Sequence, residues 1–350
     1  MLFFVNDYSQ CAHDRVMEHL QAMWQEKNAG YGSDKYSEAA KEKIRAACRL
    51  PGAQVELLVG GTQTNQLVID TMLAPYEGVV AAETGHVSVH EAGAIEFTGH
   101  KVLTVPQHEG KLDAAELGAY VDGFFADDNH EHMVFPGMVY ISQPTEYGTL
   151  YSKAELEAIR AVCARRNLTL YVDGARLGYA LACPENDVSL PELARLADVF
   201  YIGGTKVGTM FGEAVVFTKN NRPPHFLTRI KQHGALLAKG WLLGVQFDAL
   251  FTDGFYEHIG EGAIRAAQKI RAVLKECGYR FLLESPTNQI LVVLDNATKE
   301  KLSERVAFSF WEKIDEDHTA IRFCTSWATR DDEVDGLIEV LKELCITKGS

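Results

Sequence analysis

The sequence is short of positive charge. Against 48 Asp and Glu stand 34 Lys and Arg, a formal net charge of -14. That balance offers no basic footprint to a nucleic-acid backbone or an anionic membrane, so neither is expected as a partner. A small anionic ligand is not excluded, because it needs only a local site. There is no apolar run long enough to cross a bilayer. The opening MLFFV gives way at once to NDYSQ, which reads as neither signal peptide nor anchor. The seven cysteines (Cys11, Cys48, Cys163, Cys183, Cys277, Cys324 and Cys345) are odd in number, scattered, and form no CxxC pair. Buried thiols in a reducing compartment, the cytoplasm, are the expectation. Neither GxGxxG nor a Walker A pattern occurs. HVSVHE, with His86 and His90 four apart and Glu91 next, is not HExxH and has no evident third ligand, so no metal is expected. His130 and His132, in the charged stretch DDNHEHM, are expected to be solvated. Internal repeats and low-complexity tracts are also lacking.

What remains is an ordinary globular composition, 47% hydrophobic and 23% charged over 350 residues. That is enough for a large domain and a smaller one. Apolar runs alternate with helical patterns. AQVELLV, GVVAAE, HKVLTV, a part of HMVFPGMVYIS, LTLYVD, DVFYIGG and EAVVFT read as strands. QTNQLVIDTMLA, LDAAELGAYVDGFF and SKAELEAIRAVCARR read as helices, the last opened by Ser152 as N-cap. The alternation predicts a wound, mostly parallel α/β sheet. The last hundred residues change character. A long helical stretch from about Leu236 precedes the strands YRFLLE, QILVVL and TAIRFCT, with helical patterns in TKEKLSERVAF and DEVDGLIEVLKEL. The reading is an N-terminal segment 1–30, a large domain 31–245 and a small C-terminal α/β domain 246–350.

In wound α/β sheets, ligands sit at the carboxyl ends of strands. Gly60, Gly61 and Thr62 follow one predicted strand, and Glu83 to His86 another. Gln143 to Glu146, Asp173 and Lys206 follow three more. The turn GGTQTN brings backbone N–H groups to a helix N-terminus, a phosphate site in principle and otherwise a tight turn. Asp173 in DGAR could cap its own turn or pair with Arg176. It could also be a buried anion that keeps a ring nitrogen protonated. Lys206 lies between YIGGT and VGTMFG, which carry no charge. Such surroundings depress an amine's pKa and make it a nucleophile for carbonyls. An aldehyde-binding lysine, an acid for a pyridine nitrogen and a phosphate turn together fit pyridoxal 5′-phosphate.

With those residues in view, the chain resembles the low-specificity threonine aldolases, in the β-eliminating lyase group of fold-type I pyridoxal-phosphate enzymes. The resemblance runs through FFVNDYSQCAHDRVMEHL, NAGYGSDKYSEAAKEKI, GGTQTNQLVI, ETGHVSVHEAGAIEFTGHKV, YVDGARLGYAL, GGTKVGTMFGEAVVF and IRFCTSWATRDDEVDGLI, in order. It implies a lyase of amino-acid metabolism that cleaves a β-hydroxy-α-amino acid to glycine and an aldehyde. By the same resemblance Lys206 would form the Schiff base, Asp173 would bond the pyridine nitrogen, and His86 would stack on the ring. Gly61 and Thr62 would hold the phosphate, with Gly60 shaping the turn. Arg176 and Arg322, assisted by Asn6, would grip the substrate carboxylate. Lys239 would reach a neighbouring subunit's phosphate in a homodimer or homotetramer.

Two segments depart from the family pattern. Where members read like ENTHN, with a histidine facing substrate, this chain has SQPTEYGTLYS, so Glu146 and Tyr147 stand there. Asn6 stands where many members have serine. An altered substrate pocket is the expectation, with Glu146 in it. Another β-eliminating lyase, an aminotransferase, or a non-catalytic pyridoxal-phosphate-binding protein are the alternatives.

Overall fold

Thirteen strands and their helices form three sheets in the computed structural model, which describes residues 1–348. The first strand is β1, Leu2–Phe3. The main sheet holds β2 (Gln54–Leu58), β3 (Glu77–Ala82), β4 (Val102–Val105), β5 (Phe135–Ser142), β6 (Thr169–Asp173), β7 (Val199–Gly203) and β8 (Glu213–Phe217). Their order across the sheet is β2-β8-β7-β6-β5-β3-β4. Strands β3 to β7 pair in parallel, and β8 runs antiparallel to both β2 and β7. Every residue of β7 and β8 is buried, as strands covered by helices on both faces require. Alternate residues serve opposite faces. Val80, Val139, Val172 and Phe200 pack into one core, and Val79, Met138, Tyr171 and Tyr201 into another.

The helices end where local chemistry says they should. Ser152 opens Lys153–Arg166 with a capping box to Glu155, and Asn167 closes it in the left-handed region at φ 54. Gly61–Met72 starts without any side-chain cap, since its N-cap is Gly60.

The small sheet holds β9 (Arg280–Leu283), β10 (Gln289–Asp295), β12 (Ser309–Lys313) and β13 (His318–Cys324), in the antiparallel order β12-β13-β10-β9. The short β11, Val306–Ala307, pairs in parallel with β1. Helices Glu261–Glu276 and Asp331–Lys348 flank this unit, and Phe4, Ile270, Leu274, Ile290, Phe323 and Leu337 share its core. The N-terminal strand therefore belongs with the C-terminal sheet.

Three expectations need correction. The long helix from about Leu236 is two helices, Trp241–Phe251 and Glu261–Glu276, split where Asp253 and Gly254 take positive φ of 58 and 67. The helical reading of TKEKLSERVAF holds only for Asn296–Ser303; fully buried Val306 then enters β11. His130 is not simply solvated, because its ring packs edge-on between Phe124 and Phe135.

Candidate active site

The rim at the carboxyl ends of β3, β5, β6 and β7 encloses a cavity of about 270 Å³. Gly61, Thr62, His86, Glu146, Asp173 and Lys206 all line it, together with Ser142, Thr205 and Glu213. At the glycine turn, the first N–H groups of the helix Gly61–Met72 have no side-chain acceptor. Unsatisfied donors at the positive end of a helix form an anion cradle. A side-chain carbon at residue 61 would meet the Tyr201 hydroxyl at 3.2 Å, so glycine keeps that approach open. Gly60 has an extended backbone and room for a side chain.

Asp173 ends β6 and is 4% exposed. Burial opposes its charge, but His86 and a set of donors outweigh it and hold the carboxyl below its ordinary range. The Tyr140 hydroxyl donates to Oδ2 at 2.6 Å, Asn65 Nδ2 donates to Oδ2 at 3.1 Å, and the Ala175 N–H donates to Oδ1 at 2.9 Å. Asn65 is itself fixed by the Tyr171 hydroxyl at 2.7 Å and also donates to Glu91 Oε1 at 2.7 Å. The same Glu91 oxygen bonds His86 Nδ1 at 2.7 Å. Thus Asp173, Asn65, Glu91 and His86 form one hydrogen-bonded chain, whose His86 end faces the cavity. Burial pushes the Glu91 carboxyl up despite these bonds, and its Oε2 is buried without a hydrogen-bond partner among the described residues.

Glu146 is buried where the sequence places SQPTEYG. Its Oε1 accepts from the Ser142 hydroxyl at 2.6 Å and from the His86 N–H at 3.0 Å. Burial pushes this carboxyl above its ordinary range, against the Ser142 hydroxyl. Lys206 is half-buried in the loop after β7. Burial and then the Arg176 guanidinium depress its amine below the usual lysine range, against the pull of Asp7, Asp173 and Glu213.

A second cavity, of about 380 Å³, shares Tyr8, His86, Glu146, Arg176 and Lys206 with the first and adds His90, Trp311 and Arg322. Its two arginines differ. Arg176 is clamped to buried Asp7, Nε to Oδ2 at 2.7 Å and Nη2 to Oδ1 at 3.1 Å. Burial opposes the charge on Asp7, but Arg176 and Lys206 overcome it and hold the carboxyl down at about 2. Arg322 donates only to neutral acceptors, Gln289 Oε1 at 2.8 Å, Ser309 Oγ at 3.2 Å and the Val5 carbonyl at 3.4 Å, and its guanidinium lies 5.5 Å from the Trp311 ring centre. Among the described residues Arg322 makes no ion pair, which leaves a cation open to an anionic ligand.

Asn6 and Lys239 line neither cavity. The Asn6 Oδ1 is taken up locally, accepting from the Tyr8 N–H at 3.0 Å and the Ser9 hydroxyl at 2.7 Å. Lys239 is exposed in the loop before the helix Trp241–Phe251. Sequence reasoning passed over Asp7, Asn65, Tyr140 and Glu213. Asn65 was findable, four residues after Gly61 on the same helical face. Tyr140 was too, as Ser142 and Tyr140 are two apart on one face of β5. Glu213 escaped a search of strand ends because it begins the reversed strand β8, opposite Gly203 and Leu58.

The profile of the β-eliminating lyases matches residues 9–304. The chain belongs to the β-eliminating lyase family. It is 30% identical to the low-specificity L-threonine aldolase of a Pseudomonas species over 309 residues, 87% of this chain and 86% of the relative. It is similar to the solved structure of Leishmania major threonine aldolase, 41% identical, covering 99% of this chain and 100% of that one at a TM-score of 0.95. The Thermus thermophilus aspartate aminotransferase, at 16% identity and a TM-score of 0.71 over 98% of this chain, shares the fold. The fold is therefore that of the fold-type I enzymes, and the family's cofactor is pyridoxal 5′-phosphate. The residues present suit that group. The uncapped turn can take a phosphate, the depressed amine can meet an aldehyde, and a carboxylate held charged can face a ring N–H. Among the described residues, there is no cluster of three or more His, Cys, Asp or Glu able to hold a metal ion.

Proposed function

We propose that this enzyme cleaves threonine or allo-threonine to glycine and acetaldehyde. The observation that carries this reading is the joining of two cavities. One holds the glycine turn, Asp173 and Lys206; the other holds an arginine with no carboxylate partner. Similarity to the threonine aldolases named above supports the substrate class. Pyridoxal 5′-phosphate, when bound, supplies the electron sink into which a Cα–Cβ bond can break.

The chain's own residues do the rest. Gly61 and Thr62, with Gly60 shaping the turn, would hold the phosphate. Asp173 would keep the ring nitrogen protonated, and Lys206 would bond the cofactor aldehyde. His86, oriented by Glu91 through Nδ1, would cover the ring. Arg322 binds the substrate carboxylate, with Arg176 alongside and Asn6 shaping the turn that presents Tyr8. Glu146 takes the proton of the β-hydroxyl. It borders both cavities, and burial raises its carboxyl above the ordinary range, which makes it a better proton acceptor than an exposed carboxylate.

The same reading divides the chain into segment 1–30, a large domain 31–245 and a small domain 246–350. It gives a cytoplasmic homodimer or homotetramer with no nucleic-acid partner. No described helix is long and apolar enough to cross a membrane. Support for assembly comes from a cleft in the region of Lys239, where Tyr31, Leu227 and Leu236 stand beside the charged Glu38, Lys41, Glu56 and Arg222, with Tyr31 and Leu227 more than half exposed. There Lys239 would extend to a neighbour's phosphate.

The test is acetaldehyde release from L-threonine and L-allo-threonine by the cofactor-loaded protein. Release is expected, and Glu146→Gln should keep the yellow colour while losing about 100-fold or more in rate. Keto acid and ammonia in place of aldehyde would mean elimination. Full activity in Glu146→Gln would remove it as the proton acceptor.

A further inference from the structure

Glu213 has no part in the chemistry described so far, yet it is 3% exposed and lines the cavity with Lys206. Its position follows from topology. Because β8 runs backwards, its first residue arrives at the rim where its neighbours end. The carboxyl is strapped to the lysine's own loop. The Gly204 N–H donates to Oε2 at 3.0 Å, and the hydroxyl of Thr205, next to Lys206, accepts from the N–H of Gly212, the residue before Glu213, at 3.0 Å. It makes no ion pair among the described side chains. A carboxyl buried this deeply without a salt bridge needs a stated reason. Burial pushes it up to about 8, against the Thr205 hydroxyl, the Gly204 N–H and Lys206.

The other ionisable groups that act on it are Asp173, Tyr171, Tyr201 and Tyr256. Asp173 is held as an anion, and burial drives the three phenols well above their ordinary range. Of these groups only Lys206 is an acid drawn downward while Glu213 is pushed upward, so it is the one suited to trade a proton with Glu213.

We propose that Glu213 is the proton partner of Lys206, exchanging protons with it through water in the cavity that both residues line. It takes the proton that the ammonium must lose before its nitrogen attacks a carbonyl carbon, passes it to the carbonyl oxygen, and then relays a second proton from the same nitrogen to the resulting hydroxyl, which leaves as water. The C=O double bond is replaced by a C=N double bond, both protons of the water come from the lysine nitrogen, and nothing is oxidised or reduced. Displacement of the lysine by an incoming amine runs the same transfers backwards. The inference rests on Lys206 being the cofactor-bonding lysine.

The test is the rate at which the full chain, stripped of cofactor, captures pyridoxal 5′-phosphate, followed by its yellow colour. Glu213→Gln keeps an oxygen for the Gly204 N–H, and should slow capture about 100-fold while reaching the same final colour. Glu213→Ala should be equally slow and be rescued by added formate or acetate, which Glu213→Gln should not be. If Glu213 acted through its charge alone, removing it would leave more of Lys206 as free amine. Capture would then be unchanged or faster, and that result overturns the proposal. Should Glu213→Gln fail to fold, Glu213→Ala with and without formate decides, since a purely structural defect is not repaired by formate. Lys206→Ala separates the two readings. Coloured, borohydride-reducible protein from that variant would sink the lysine assignment itself, whatever Glu213 does.

Discussion

The end of β6 and the start of β8 each place a carboxyl in the same cavity, and the two meet opposite fates. Asp173 is held below the ordinary carboxylate range, while Glu213 is pushed up to about 8. Burial cannot be the difference, since both are nearly inaccessible. The donors are. Asp173 receives the Tyr140 hydroxyl, the Asn65 amide and the Ala175 N–H, and feels His86. Glu213 has one N–H, one hydroxyl and a lysine whose own charge is weakened by burial. Desolvation is common to both sites, so the count and quality of hydrogen bonds to the charged form decide the sign. A site built this way holds one permanent anion and one exchangeable proton on strands separated by β7 alone.

The largest effect is expected from neutralising the permanent anion. Asp173→Asn leaves the shape of the side chain but removes the charge that the proposed function sets against the ring nitrogen. Turnover should fall about 100-fold or more while the protein still takes up cofactor. A wild-type rate in that variant would end the distinction between the two carboxyls. A smaller effect should follow from thinning the donor set. Tyr140→Phe removes the 2.6 Å bond to Asp173 and leaves the ring in place. Losing one strong donor raises the carboxyl's pKa. The acid limb of the activity–pH profile should therefore move up by about one pH unit. An acid limb that stays put would mean that Asn65, Ala175 and His86 suffice without the tyrosine.

The contrast also shows what could be read from residues alone. The rim itself was legible, because apolar runs ending in Gly-Gly-Thr, Asp173 and Gly-Gly-Thr-Lys206 mark strand ends, and parallel strands end together. Lys206 stood out because its flanks carry no charge. Asp173 was visible but undecided between capping its turn and serving a ring. Its Oδ1 does take the Ala175 N–H, yet Oδ2 is bound across the sheet by residues 33 and 108 positions away in sequence. Such long-range donors leave no local signal. The pairing of Arg176 with Asp7, 169 residues apart, is hidden for the same reason. Glu213 was lost to a rule, since strand beginnings matter when one strand of the sheet is reversed. In the small domain, β12 was missed because SFWEK alternates exposed and half-buried positions, and so has no continuous apolar run to announce it.

The smallest effect concerns stability, and it tests the contrast without any catalysis. A carboxyl raised in the folded state favours folding fully below its unfolded pKa, near 4.5, and this contribution fades as pH rises toward about 8. Asp173 does the reverse. Its contribution is complete above its ordinary 3.8 and is lost only as pH falls through its lowered value. Between these limits Asp173 stays charged and contributes no slope, whereas Glu213 makes the cofactor-free chain less stable with each step toward alkali. Glu213→Gln cannot ionise, so its melting temperature should draw ahead of the wild type from pH 4.5 upward and stop gaining above 8. The gain should be on the order of a few degrees. Parallel melting curves for the two proteins across this window would mean that Glu213 titrates alike folded and unfolded, and its difference from Asp173 would then be one of position only.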